Sequence, residues 1–272
     1  MQYLIAGFVV LIYALFRRSS WLVLMAVASL LWNGRVVLSC HATATPAEAT
    51  LQKPLRVLTF NVMAGNANQA AVIDYVVSVD ADIVCLLETN ESWRSSLAPL
   101  RERYPYHVEE LGAGYFSIAC YTRLPVKSSG VRRFTTWALP VVFLNLDRLG
   151  SPLTFIGIHP DAPMRKAQAR EWRVQLSQIG SLVAEIDGDV IVAGDFNATP
   201  WCEGMRLLRE KSGLDFRSVD PVWPPTWGLN LPMMIPIDHV LVKGGLTVQK
   251  RTIGPDLGSD HRPVTVDILS AR

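Results

Sequence analysis

Apolar residues along most of the chain fall into two repeating patterns. Short continuous apolar runs predict strands buried on both faces, and apolar residues three or four positions apart predict amphipathic helices. The first pattern predicts strands at 56–60, 83–87, 116–121, 126–134, 141–146, 153–158, 190–193, 238–242, 246–253 and 263–268. The second predicts helices at 68–79, 92–103, 164–186 and 203–211. So many strands favour two packed sheets with helices outside, in one domain over residues 55–272.

The first 40 residues show a different pattern. Two apolar runs, 1–16 and 21–32, flank Arg17 and Arg18. Each run is shorter than the roughly 20 residues of a comfortable membrane-spanning helix, but together they predict a helical hairpin. A positively charged loop is kept in the cytoplasm, so the domain that follows the second helix is predicted to lie outside. We interpret 1–40 as a membrane anchor in contact with the lipid bilayer, and 41–54 as a linker.

A second interpretation makes the same segment a signal that is removed. Cleavage would fall near residues 42–44, and residues 37–40 have a weak similarity to a lipoprotein acceptor. Both interpretations export the domain.

The charge balance of the domain bears on its partners. Three of the 26 basic and one of the 24 acidic side chains lie in the first 50 residues, so residues 51–272 carry 23 of each. Proteins that bind duplex nucleic acid neutralise several phosphates with a basic face, so a neutral domain disfavours such a polyanion. Local clusters such as Arg132 with Arg133 are interpreted as solvated surface.

The four cysteines form no regular framework and are interpreted as buried apolar thiols. For an exported domain, a disulfide between Cys85 and Cys120 is an alternative.

Polar side chains follow or begin five of the apolar runs. These side chains are Asn61, Glu88, Asp195 with Asn197, Asp238, and Asp260 with His261. Carboxylate and amide oxygens suit a hard divalent cation such as Mg²⁺ or Mn²⁺, and the chain has no cysteine and histidine spacing typical of zinc. The pattern therefore indicates metal-assisted phosphate chemistry at strand ends.

Six short motifs occur in a fixed order: FNV with Asn61, LLET with Glu88, IGIHP with His159, then GDFN, IDH and SDH. With these motifs, residues 55–269 resemble the endonuclease/exonuclease/phosphatase superfamily of deoxyribonuclease I-like nucleases, neutral sphingomyelinases and inositol polyphosphate 5-phosphatases. The segments GDFNATPW, PTW, IPIDHVLV and GSDHRPV resemble its bacterial membrane-anchored members. The resemblance implies a four-layer α/β/β/α sandwich and an extracytoplasmic catalytic domain on the inner (cytoplasmic) membrane.

The resemblance also implies the metal ligands. Asn61 and Glu88 belong to the main Mg²⁺ site, with Asp260 nearby. Whether one metal ion or two take part stays open.

The remaining roles follow from the same resemblance. Asp195 and Asn197 position the attacking water and a phosphate oxygen. Asp238 orients His261, which either takes the proton of the water or stabilises charge as imidazolium. His159 donates to a phosphate oxygen or protonates the leaving group. The identity of the general base stays open.

The segment 222–236 is apolar and rich in proline and leads into Asp238. It is interpreted either as packing at a sheet edge or as an apolar rim beside the metal. The rim favours a lipid-linked phosphate or pyrophosphate as substrate for a membrane-anchored phosphohydrolase. An extracytoplasmic nuclease is the alternative, and a noncatalytic binding protein is disfavoured because all the motif residues are present. His239 is left out of the site because successive strand residues face opposite sides.

Overall fold

The computed structural model describes residues 2–40, 53–111, 115–215, 224–228 and 234–270. The chain divides into two compact units, residues 1–43 and 44–272. The predicted linker at 41–54 lies almost wholly outside the described residues.

The N-terminal unit is a helical hairpin made of α1 (Gln2–Phe16) and α2 (Ser20–Cys40), which pack against each other. Helix α2 is longer than the apolar run 21–32, because it continues through Asn33, Gly34 and Arg35. There the Asn33 side chain donates to the Ser29 carbonyl oxygen (2.8 Å), which keeps this polar group within the helix. The stretch Ser20–Leu38 has a mean hydropathy of 1.7 and is long enough to cross a membrane, while α1 is shorter.

The second unit contains two mixed sheets. The six-stranded sheet has the order β10–β11–β1–β2–β4–β3 and the five-stranded sheet the order β5–β6–β7–β8–β9. The strands of the first sheet are β1 (Leu55–Asn61), β2 (Ile83–Leu87), β3 (Tyr106–Glu110), β4 (Ile118–Thr122), β10 (Leu246–Ile253) and β11 (Val264–Ser270). Those of the second are β5 (Val126–Arg133), β6 (Pro140–Arg148), β7 (Ser151–Ile158), β8 (Asp189–Asp195) and β9 (Asp238–Lys243).

Helices cover the outer faces of the sheets. On the six-stranded sheet lie α3 (Gln69–Val79) and α4 (Ala98–Arg103), whose buried side chains share one core cluster with Phe60 and Leu86. On the other sheet lies α5 (Lys166–Glu185), which packs beside α6 (Glu203–Ser212). A second core cluster fills the space between the sheets. The four-layer α/β/β/α sandwich is therefore confirmed.

Two local predictions were wrong. The helix expected at 92–103 is a 3₁₀ turn at Glu91–Trp93 followed by α4, since Pro99 is accommodated only in the first turn of an α-helix. The strand β3 was missed because its sequence is mostly polar, as edge strands often are.

The thiols of Cys85 and Cys120 lie side by side between the sheets. The two residues are paired across β2 and β4, their Sγ atoms are 3.7 Å apart, and both are buried and free. For these two cysteines the structure shows buried thiols without a disulfide, whereas Cys202 is only partly buried.

Candidate active site

The strand directions bring the polar strand ends to one edge of the sandwich. The pairs β1–β2 and β7–β8 are parallel, so the carboxyl ends of each pair lie together. Strands β9 and β11 run antiparallel to β8 and β1, and they therefore begin where β8 and β1 end. The first sheet contributes Asn61, Glu88 and the residues before β11, and the second contributes the ends of β7, β8 and β9.

The amide of Asn61 lies at the centre of this edge. Its Nδ2 donates to Glu88 Oε1 (3.0 Å) and Asp195 Oδ2 (3.2 Å), and lies 3.4 Å from His261 Nε2. Its Oδ1 accepts from the backbone N–H of Met63 (3.1 Å). One buried amide thus connects groups from both sheets.

Glu88 reaches Asn61 because the backbone turns sharply after β2. Its φ is 61°, in the left-handed region that non-glycine residues rarely adopt. The backbone N–H of Glu88 donates to the Ser117 carbonyl oxygen (2.8 Å), and that of Ala64 donates to Glu88 Oε2 (3.1 Å). The first bond holds the backbone of Glu88 and the second holds its carboxylate. Strained backbone conformations of this kind cluster at functional sites.

Asp195 lies between two imidazoles. Its Oδ2 is 3.5 Å from Nε2 of both His159 and His261, and all three side chains are buried. Burial by itself raises the pKa of Asp195, but the positive charge of His261 and the contact with His159 outweigh it and lower the pKa to about 2. Asp195 is therefore an anion held in a nearly dry site.

His261 is bonded to a second carboxylate. Its Nδ1 donates to Asp238 Oδ2 (2.9 Å), and Thr226 Oγ1 accepts from the backbone N–H of Asp238 (3.2 Å). Burial lowers the pKa of His261, but Asp238 and Asp195 raise it to about 10. Burial also raises the pKa of Asp238; we assign the shared proton to His261 because the imidazole faces two carboxylates.

The GDFN turn after β8 is shaped by two unusual backbone conformations. Gly194 has a φ of 150°, and a Cβ there would lie 1.9 Å from the Ile158 carbonyl oxygen. Asn197 has a φ of 49°; its N–H donates to Asp195 Oδ1 (2.8 Å) and its Nδ2 to the Pro160 carbonyl oxygen (3.0 Å). The turn thus connects Asp195 to the segment after His159.

Asp260 lies next to His261, and its carboxylate contacts a residue that sequence reasoning did not assign to the site. Trp227 Nε1 donates to Asp260 Oδ2 (2.9 Å), and the indole centroid is 6.3 Å from the His261 ring. Trp227 is also paired through its backbone with Ile235 and His261. The PTW segment was the available signal, but the sequence could not show which group its indole contacts.

His239 lies outside the site, as predicted. Its buried ring packs against Phe196, and Nε2 donates to the Ala198 carbonyl oxygen (2.7 Å). Burial lowers the pKa of His239 to about 4, so the ring is neutral.

The residues present fit a divalent cation. Glu88, Asp195 and Asp238 bring three carboxylates to one site, and within the described ranges no lysine or arginine is paired with any of them. The His261 imidazolium offsets one of these three charges, and the Asn61 amide is uncharged, so net negative charge remains. Asp195, Asp238 and His261 also offer ligand atoms within 4.8 Å of one another. A hard cation bound to such oxygens would balance the charge.

The chain is similar to several known proteins. The model of the Endonuclease/Exonuclease/phosphatase family matches residues 58–261. The UPF0294 protein VV1_1880 of Vibrio vulnificus (strain CMCP6) is 27% identical over 244 residues, which cover 84% of this chain and 82% of that protein.

Two solved structures have the same fold. A humanized D. rerio TDP2 with 14 mutations matches with a TM-score of 0.67 and 18% identity, over 80% of this chain and 100% of that chain. Sphingomyelinase C from Streptomyces griseocarneus matches with a TM-score of 0.60 and 17% identity, over 79% and 99%. Both neighbours have the deoxyribonuclease I-like fold. The family model begins in β1 and ends at His261, so its match includes every strand end that meets at this edge. With this match over residues 58–261, the chain belongs to the Endonuclease/Exonuclease/phosphatase family.

Proposed function

We propose that this protein is a Mg²⁺-dependent hydrolase of lipid-linked phosphates or pyrophosphates, anchored in the bacterial inner membrane with its catalytic unit outside the cytoplasm. Hydrolysis of phosphoesters with the help of a metal ion is the chemistry of the family. The observation that carries the proposal is the convergence of Glu88, Asp195 and His261 on the buried amide of Asn61.

Asn61, Glu88 and Asp260 are the proposed metal ligands. Mg²⁺ suits these oxygen donors, and Mn²⁺ has the same preference. When bound, such a cation neutralises charge that develops on the phosphoryl oxygens. Asn61 Nδ2 donates to Glu88 Oε1, and Asp260, in the loop before β11, accepts from Trp227 Nε1.

The chain's own side chains supply the proton chemistry. The Asp238 carboxylate holds the His261 ring by its Nδ1, which aims Nε2 at Asp195. As imidazolium, His261 stabilises an anionic phosphoryl group, and as neutral imidazole it accepts the proton of an attacking water. Asp195 and Asn197 orient that water and a phosphate oxygen, and His159 donates to the phosphate or to the leaving group. His159, Asp195, Asp238 and His261 are buried, so bulk water is largely excluded and interactions between their charges are weakly screened.

The membrane part of the proposal rests on the N-terminal hairpin. The apolar stretch of α2 is 19 residues, about 28 Å at 1.5 Å per residue, which is close to the thickness of a bilayer core. Arg17 and Arg18 lie in the turn before α2 and favour a cytoplasmic turn, so that α2 leads the chain outwards.

The choice of a lipid-linked substrate rests on charge and on apolar surface. Residues 51–272 are neutral, which is unfavourable for a protein that follows a polyanion. Trp227 is 38% exposed although its indole lies beside His261. Exposed aromatic surface next to a phosphate site suits a substrate with an apolar part.

A substrate panel tests the proposal. The full-length protein in lipid nanodiscs would be assayed with Mg²⁺ against polyprenyl and phospholipid phosphates, and against plasmid DNA. We expect turnover of the lipid phosphates that is lost on chelation and lost in Glu88→Gln. The matched control is Glu110→Gln. It changes a carboxylate on β3 that pairs with Arg133, and it is expected to retain activity.

Rapid nicking of DNA without lipid turnover would assign the protein to the nucleases instead. Turnover that survives chelation would remove the metal from the mechanism. A phosphatase-type reporter fused after Arg272 is expected to be active only outside the cytoplasm, and a silent fusion would contradict the orientation.

A further inference from the structure

A groove runs between α5 and α6, and Asn197 of the GDFN turn lines its near end. Its near cavity, about 390 Å³, is lined by Trp172, Asn197, Thr199 and Ile235 among others. Its far cavity, about 470 Å³, is lined by Leu176, Leu207, Leu208 and Lys211 among others. Arg173 and Gly204 line both cavities, so the two meet at these residues. We call the two cavities together the α5–α6 groove.

The α5–α6 groove is built on a rigid floor. The indole of Trp172 packs against Gly204, where a Cβ would lie 2.1 Å from the ring. The Trp172 Nε1 donates to the Phe196 carbonyl oxygen (2.9 Å), within the GDFN turn. The floor is therefore tied to the same turn that holds Asp195 and Asn197.

The lining of the groove is mainly apolar. Leu176 and Leu208 form a buried floor, while Leu207 on its wall is 50% exposed. At the far end, Lys211 Nζ donates to the carbonyl oxygen (3.2 Å) and hydroxyl (3.1 Å) of Ser177, which joins the two helices. Each cavity is in the size range of ligand pockets, about 300 to 1,000 Å³.

We propose that the α5–α6 groove binds the hydrocarbon chain of an anionic amphiphile whose phosphate lies in the active site. The inference rests on the proposed function and names the apolar part of its substrate. Continuity supports it, because Asn197 belongs both to the active site and to the groove.

A third cavity lies outside the α5–α6 groove and away from the active site. It measures about 160 Å³, is lined by Arg148 and Asp189 among others, and lies where β7 and β8 begin. The active site lies where these strands end, so this cavity is at the opposite edge of the sheet.

The test compares two phosphonates of different chain length. Full-length protein in lipid nanodiscs with Mg²⁺ would be titrated calorimetrically with butylphosphonate and with octylphosphonate. The variants are Leu207→Gln in the groove, Leu207→Met as a conservative change, and Leu149→Gln as a control. Leu149 is an exposed leucine in the turn between β6 and β7. Partition of the octyl chain into the nanodisc is the same for all four proteins and cancels in the comparison.

We expect the wild type to prefer octylphosphonate by about tenfold or more, since each buried methylene contributes to binding. Leu207→Gln is expected to lower that preference about fivefold with butylphosphonate binding unchanged. Leu207→Met and Leu149→Gln keep the preference. An unchanged preference in Leu207→Gln would overturn the groove and leave the proposed function intact. Failure of both phosphonates to bind the wild type would overturn the proposed function and the groove with it.

Discussion

Nδ1 of His261 donates to Asp238 Oδ2 over 2.9 Å, and both side chains are buried. This bond fixes which nitrogen of the imidazole faces Asp195. A carboxamide in place of Asp238 has nearly the same shape but lacks the charge that favours imidazolium.

For Asp238→Asn we therefore expect kcat to fall about a hundredfold or more. The measurement is steady-state hydrolysis of the best substrate of the panel, with circular dichroism to show that the fold is kept. Asp147→Asn is the matched control, because Asp147 pairs with Lys127 on the surface of β6. Equal activity in Asp238→Asn and the wild type would mean that the carboxylate does not support the imidazole.

Glu88→Gln is expected to remove the stabilisation of the folded state by Mg²⁺. A ligand that binds only the folded protein raises its free energy of unfolding, and hence Tm, in proportion to the logarithm of concentration over Kd. We expect 10 mM Mg²⁺ to raise Tm in the wild type and in Glu110→Gln, but not in Glu88→Gln. An equal rise in all three proteins would exclude Glu88 as a ligand.

Trp227→Phe is expected to weaken Mg²⁺ binding about fivefold. It keeps an aromatic ring at this position but deletes the N–H that holds Asp260. The readout is the Mg²⁺ concentration that gives half of the maximal rise in Tm, which does not depend on turnover. Trp137→Phe changes another exposed tryptophan and serves as the control. An unchanged midpoint in Trp227→Phe would separate the indole from metal binding.

His239 is expected to make stability depend on pH. Its folded pKa is about 4 and its unfolded pKa about 6.5, so its contribution is complete above pH 6.5 and is lost as the pH falls towards 4. The shift corresponds to about 3 kcal/mol. His239→Gln keeps a donor for the Ala198 carbonyl oxygen, and its Tm should fall less between pH 7 and 4. Parallel curves for the two proteins would contradict this assignment.

Gly194→Ala is expected to destabilise the fold by several kcal/mol, since its Cβ would overlap the Ile158 carbonyl oxygen. Gly130→Ala is the control, because a Cβ there meets no atom within 4 Å. Chemical denaturation measures both. A free energy of unfolding close to that of the wild type for Gly194→Ala would show that β7 and β8 separate easily.

One property of the sequence predicted the fold, which is confirmed, and the members of the site, whose roles stay predictions. An apolar run that stops at Asn61, Glu88 or Asp195 shows both where a buried strand lies and where its polar end emerges. The parallel and antiparallel strand pairings bring those ends together. The sequence indicated this convergence only through the family resemblance of its ordered motifs.

Other features depend on contacts between residues far apart in the chain. The polar edge strand β3 is fixed by pairs such as Glu109 with Arg101 rather than by apolar periodicity. The left-handed turn at Glu88 and the bond from Trp227 to Asp260 leave no periodic trace in the sequence. The length of α2 was underestimated because its polar residues bond within the helix.

Since the two sheets each provide half of the active site, their separation sets the distance between Asn61 on one and Asp195 on the other. At Gly157 on β7 the sheets meet closely: a methyl group there would lie 2.9 Å from Cys120 Sγ and 3.0 Å from Cys85 Sγ. Because glycine has only a hydrogen atom in place of a side chain, the two sheets can pack this closely at Gly157. The alignment of Asn61 with Asp195 therefore depends on packing in the core as well as on the strand ends.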